Sequence, residues 1–142
     1  MSRARVLLAD DHRIVLEGLK SVLAEGFEVI GTVEDGHALA AAARTLKPDI
    51  IVTDIAMPRM TGIEAIGQLR KDNPEVKIVV LTMHQDEAYA RRAFEAGAHG
   101  FVTKHSAVAE LVVAIHAVLN GQKFISTTLK TGCGERRRNQ PG

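Results

Sequence analysis

The feature that most constrains this chain is an alternation, repeated five times, of a short apolar run and a helix-patterned stretch. Val6-Leu7-Leu8-Ala9, Ile50-Ile51-Val52-Thr53, residues 76–82 and residues 99–103 are nearly continuous apolar runs, and residues 27–32 form a fifth. Continuous rather than alternating runs are what strands covered on both faces require. Between them apolar residues recur at the 3.6-residue period: Val15, Leu16, Leu19, Val22 and Leu23, then Ile63, Ile66 and Leu69, then Val108, Leu111, Val112, Ile115, Val118 and Leu119. Strand and helix alternating in this way build an α/β domain, a parallel sheet with helices on both faces. The 142 residues fit one such domain.

Local signals set the expected boundaries. Gly26 closes the first helix, and Asp35 caps a second that runs to Leu46, with Pro48 blocking its continuation. Thr61 and Glu64 have capping-box spacing at the start of the third helix, and Asn73-Pro74 ends it. The fourth helix, about residues 86–96, has a thin apolar face of Ala90, Ala93 and Phe94, which predicts weaker docking. Gly97 is its C-cap, Ser106 caps the last helix, and Asn120-Gly121 ends that helix. Residues 1–121 are then the folded domain, and residues 122–142 a disordered tail or linker stub.

Charge and composition narrow the function classes. Net charge is +1, but from Gln122 onward Lys123, Lys130, Arg136, Arg137 and Arg138 face one anion, Glu135. The body is therefore mildly acidic, a poor electrostatic match for nucleic acid, and the arginine triplet reads first as a solvated tail. The single cysteine, Cys133, argues against a disulfide framework and fits a reducing compartment. Met1-Ser2-Arg3-Ala4-Arg5 leads into too short an apolar run for a signal peptide or a membrane span, so a cytoplasmic location is expected.

Chemistry gathers where the runs end. Taken in chain order, the first run leads into Asp10-Asp11, the third into Asp54, the fourth ends at Thr82, and the last, residues 99–103, is followed by Lys104. Open α/β sheets bind ligands outside the carboxyl ends of their strands, so acid pair, lone acid, hydroxyl and ammonium would converge there. Closely spaced carboxylates need a compensating cation, and hard oxygen donors suit Mg²⁺. A carboxylate in such a site can attack a phosphoryl group, with metal and lysine offsetting charge on the phosphoryl oxygens.

With these residues in place, residues 5–121 resemble the receiver domain of two-component response regulators. Ala9-Asp10-Asp11-His12 with Glu17-Gly18-Leu19, and Asp54-Ile55-Ala56-Met57-Pro58-Arg59-Met60-Thr61-Gly62, are similar to the NarL/FixJ (LuxR-type) transcription-factor branch. The resemblance implies a flavodoxin-like (βα)5 doubly wound sheet of strand order 2-1-3-4-5. It makes Asp54 the phosphoacceptor. Asp10, Asp11, Asp54 and the Ala56 backbone carbonyl become Mg²⁺ ligands, Thr82 and Lys104 phosphate partners, and Thr82 and Phe101 switch residues. It places His84 near the site, with influence over phosphoryl lifetime. It implies a sensor histidine kinase as phosphoryl donor, a homodimer on phosphorylation, and DNA contact only through a C-terminal helix-turn-helix that this sequence lacks. Many receivers have proline after the lysine; here His105 follows Lys104, which leaves that peptide's conformation open.

Simpler roles exist for each residue. Asp11 could only cap the first helix, Asp54 could be an ordinary loop acid, Thr82 a strand-end residue, Lys104 a surface lysine, and Phe101 core packing. The six histidines show no metal-ligand spacing. A haloacid-dehalogenase-type phosphatase would want a second acid two residues after its nucleophile, where this chain has Ala56. A nucleotide- or flavin-binding module would want a glycine-rich loop after the first strand, where the chain has acids. The remaining alternative is a single-domain or phosphorylation-independent receiver that acts by protein interaction. The leading expectation is a signalling phosphoacceptor, not a turnover enzyme.

Overall fold

A computed structural model describes residues 3–54, 62–83 and 87–126. Ala56, the Met57-Pro58 loop, Thr61, His84 and residues 127–142 lie outside the described residues. The strands are β1 (Ala4–Ala9), β2 (Phe27–Val33), β3 (Ile50–Asp54), β4 (Lys77–Thr82), β5 (Gly100–Thr103) and β6 (Phe124–Ile125). The helices are α1 (Arg13–Leu23), α2 (Gly36–Leu46), α3 (Gly62–Asp72), α4 (Glu87–Ala96) and α5 (Ala107–Leu119), with a 3₁₀ turn at Lys104–Ser106. The sheet is parallel throughout, in the order β2-β1-β3-β4-β5-β6. The expected flavodoxin-like order is thus present and extended by one strand.

Alternating side chains along the strands fill two cores. Val6, Leu8, Ile50, Val52, Val79, Leu81 and Val102 point to one face, under Leu16, Leu19 and Leu23 of α1 and Leu111, Ala114, Ile115 and Val118 of α5. Leu7, Ala9, Ile51, Ile78, Val80 and Phe101 point to the other, under Leu39 of α2, Ala65, Ile66 and Leu69 of α3, and Ala90 and Ala93 of α4. Every residue of β3 is buried, as its continuous apolar run requires. The fourth helix contributes mainly alanines to its core, in keeping with its thin apolar face.

The caps follow local chemistry with two differences. Asp35 accepts a hydrogen bond from the Ala38 amide at 2.8 Å, as its N-cap position demands. Gly97 has φ 121, the left-handed region that ends α4. The first helix ends at Leu23, with Ala24 as C-cap, before Gly26 is reached. Helix α2 ends on Lys47 at φ 51, because Pro48 disfavours a helical residue before it. Ser106 occupies the N-cap of α5 but makes no side-chain cap bond. The 3₁₀ turn before it coils the chain so that Ser106 Oγ instead receives a hydrogen bond from Thr103 Oγ1 at 3.3 Å. No cis peptide occurs among the described residues, so the Lys104-His105 bond is trans.

The segment assigned from sequence to the tail also differs. The sheet passes residue 121: Gly100 and Phe101 pair with Phe124 and Ile125. The Phe124 amide donates to His99 O at 3.2 Å and the Ser126 amide to Phe101 O at 2.8 Å.

Candidate functional site

All parallel strands end at one edge, and their register brings the chemistry-bearing residues into one row. Ala9 lies opposite Thr53, Asp54 opposite Leu81, and Thr82 opposite Thr103. Asp10 therefore leaves β1 beside Asp54 at the end of β3, and Lys104 leaves β5 beside Thr82 at the end of β4. Asp10 is 0% exposed, Asp54 4% and Thr82 1%. Three polar side chains so deeply buried at a sheet edge need partners.

Lys104 supplies the opposing charge. Its Nζ lies 2.8 Å from Asp10 Oδ2 and 3.2 Å from Asp54 Oδ2, donating a hydrogen bond to the latter. Asp10 Oδ2 is buried without an aligned hydrogen bond, so its short contact to Lys104 acts as an ion pair. Burial works against the Lys104 charge, but the Asp10 contact and the Asp54 and Asp10 charges outweigh it and raise the pKa above the ordinary lysine value.

Histidine 12 completes the acid end. Its amide donates to Asp10 Oδ1 at 2.8 Å, and its Nδ1 lies 2.9 Å from that oxygen and 3.1 Å from Asp11 Oδ1. It holds the N-cap position of α1, so Asp11 does not cap that helix. Asp10, Asp11, His12 and Asp54 each offer a ligand atom within 4.8 Å of the others. The donors are mostly hard carboxylate oxygens, and one of them, Asp10 Oδ2, is buried and without an aligned donor. That set fits a hard divalent cation.

The structure thus brings together Asp10, Asp11, Asp54 and Lys104, with Thr82 beside them in register. Phe101 is fully buried in the core beneath α3 and α4, three residues before Lys104. Sequence reasoning left out His12, whose signal was its position directly after the acid pair. It also left out Ser126, fully buried directly after β6, whose hydroxyl lies near Thr103. No periodicity marks a two-residue strand.

Known proteins agree with this geometry. Residues 6–116 match the response regulator receiver domain. Response regulator GacA of Pseudomonas viridiflava is 39% identical over 124 residues, 86% of this chain and 58% of GacA. The chain therefore spans little more than half of that relative. A two-component response regulator of the LuxR family from Aurantimonas sp. SI85-9A1 superposes with TM-score 0.90 at 40% identity, covering 96% of this chain and 99% of that one. The isolated receiver domain of RcsB from Salmonella enterica serovar Typhimurium, solved with the phosphomimetic BeF3⁻, superposes with TM-score 0.84 at 31% identity, covering 92% and 98%. Acid cluster, bridging lysine, sheet order and relatives all converge: this chain belongs to the response regulator receiver domain family, in its NarL/FixJ branch.

Proposed function

We propose that Asp54 accepts a phosphoryl group from a sensor histidine kinase and stores it as a signal. The observation that carries this reading is the Lys104 ammonium held between Asp10 and Asp54 in a buried acidic cluster. In the transfer, an Asp54 carboxylate oxygen forms a bond to phosphorus as the bond from phosphorus to the donor imidazole nitrogen breaks. That nitrogen keeps the electron pair. Asp10, Asp11, Asp54 and the Ala56 carbonyl are the residues that would hold Mg²⁺, which when bound offsets the charge of the incoming group. Lys104 swings from carboxylate to a phosphoryl oxygen, and the Thr82 hydroxyl donates to another.

The phosphoryl group carries a charge of about −1.5 to −2, by analogy with phosphate on hydroxyl side chains, in place of the single carboxylate charge. Thr82 and Lys104 follow it, and Phe101 changes rotamer beneath them. The switch works by favouring one of two existing states of the β5 and α4 surface. A homodimer is the proposed consequence, and Ile14, Val108 and Val113, large and exposed on α1 and α5, offer a second apolar surface for it. Output is control of transcription through a DNA-binding helix-turn-helix outside these 142 residues, in the cytoplasm. No helix among the described residues is long and apolar enough to cross a membrane.

The test is direct. Incubation with acetyl phosphate and Mg²⁺, followed by intact mass, should give a labile phosphoryl adduct that disappears in Asp54→Ala. No adduct in the wild-type chain, or an undiminished one in the variant, refutes the reading and leaves a phosphorylation-independent interaction domain.

A further inference from the structure

We propose that Ser126 positions the turn that carries Lys104, so that strand β6 is coupled to the state of Asp54; the inference rests on the phosphoacceptor reading above. Strand β6 is two residues long and sits at the sheet edge, too short to hold by backbone pairing alone. Directly after it, the side chain of Ser126 is 0% exposed. Its Oγ donates to Glu110 Oε1 at 2.6 Å, a short hydrogen bond to a carboxylate. The same oxygen lies 3.5 Å from Thr103 Oγ1, which in turn donates to Ser106 Oγ at 3.3 Å. The Ser126 amide donates to Phe101 O at 2.8 Å.

These contacts close on one small element. Thr103 precedes the 3₁₀ turn, Ser106 ends it, and Lys104 is its first residue. Glu110 stands in the first turn of α5. One buried hydroxyl therefore ties β5, the turn and α5 together. From the same turn Lys104 Nζ reaches Asp10 and Asp54. When Asp54 gains a phosphoryl group, the anion that Lys104 must meet moves outward, and the turn has to follow or resist. Whatever the turn does, Ser126 shares. Coupling of this kind is reciprocal: occupancy of the site alters the order of β6, and loosening β6 alters the site.

Two readouts on the whole 142-residue chain test this. The first is amide hydrogen exchange at Phe124 and Ser126, with Mg²⁺, before and after adding beryllofluoride. The second is the lifetime of the acetyl phosphate adduct in Ser126→Ala and in Glu110→Gln, which weakens the same bond from the α5 side. Ile78→Val is the control, since it removes a buried methylene at the start of β4, away from the turn. The expected result is that beryllofluoride changes exchange at both amides. Adduct lifetime should also change by about fivefold or more in both network variants and stay near wild type in Ile78→Val, fivefold being the low end of coupling between sites. Unchanged lifetimes, or β6 amides indifferent to beryllofluoride, overturn the coupling and leave the phosphoacceptor reading intact. Equal changes in the control reduce the effect to lost stability and overturn it too. A wild-type chain that forms no adduct overturns both.

Discussion

The ammonium of Lys104 lies 2.8 Å from Asp10 Oδ2, closer than its 3.2 Å to Asp54, and in the short pair Asp10 is buried and Lys104 partly so, at 0% and 9% side-chain exposure. In this state the lysine lies nearer Asp10 than Asp54, the proposed acceptor.

Replacing that charge should be costly. Lys104→Gln leaves Asp10 buried without a counter-charge, and removing one partner of a buried ion pair costs about 3–5 kcal/mol. Because the cluster opens to solvent at Asp11, 35% exposed, the lower end is expected. Urea unfolding in EDTA should show the loss, and added Mg²⁺ should recover part of it. Equal stability of variant and wild type in EDTA would mean that the pair holds nothing.

A bound divalent cation should stabilise the wild-type chain through mass action, by about 2.7 kcal/mol at a hundred times its dissociation constant. Asp11→Ala should remove most of that gain while costing little in EDTA, because the side chain is partly exposed and does not cap α1. Thermal melts across a Mg²⁺ titration decide it. A full Mg²⁺ shift in Asp11→Ala would take Asp11 out of the ligand set.

A pH effect should come from the far end of β5. His99 Nδ1 accepts a hydrogen bond from the Ile78 amide at 3.2 Å. Burial, then the charges of Arg70, Lys77 and Lys123, lower its pKa from 6.5 to about 4. The unfolded chain takes up this proton at higher pH than the folded one, so stability declines as pH falls from about 6.5 toward 4. The slope should stay well below the one-proton limit of about 1.4 kcal/mol per pH unit, since the ring is partly solvated. His99→Asn keeps an acceptor for Ile78 but cannot titrate. Its urea midpoint should lose less than wild type between pH 7 and pH 5, and parallel curves would remove His99 as the cause.

Two glycines should respond in opposite directions to alanine. Gly97 has φ 121, and a Cβ there would meet Arg70 Cγ at 2.7 Å. Arg70 can yield but the backbone cannot, so Gly97→Ala should cost about 1–3 kcal/mol. Gly67 lies inside α3 with nothing within 4 Å of a Cβ, and Gly67→Ala should add up to about 1 kcal/mol. Chemical denaturation of the pair measures both, and a stabilising Gly97→Ala would contradict the strain argument.

Much of this was legible in the sequence because the strands are buried on both faces. Such strands write themselves as unbroken apolar runs, and β3 and β4 start within one residue of their expected positions. The acids, Thr82 and Lys104 were legible for the same reason, each marking the end of a run. What escaped depended on neighbours. Phe124 and Ile125 become a strand only because β5 presents an unpaired edge, which no local pattern announces. Ser106 has the residue type of a cap, yet the preceding turn hands its oxygen to Thr103 instead. His12 follows the acid pair in sequence with nothing local to show that its side chain turns back to Asp10 and Asp11.

The short sixth strand has a bearing on how this chain behaves in a crowd. A sheet edge is a template to which another chain's strand can add, and long flat edges invite it. Here β6 occupies the outer side of β5 at Gly100 and Phe101 and is itself only two residues long. Any strand seeking to join on that side finds too few free amides and carbonyls to hold. The chain blunts this one edge of its sheet, and association on that side is left to side chains rather than to backbone pairing.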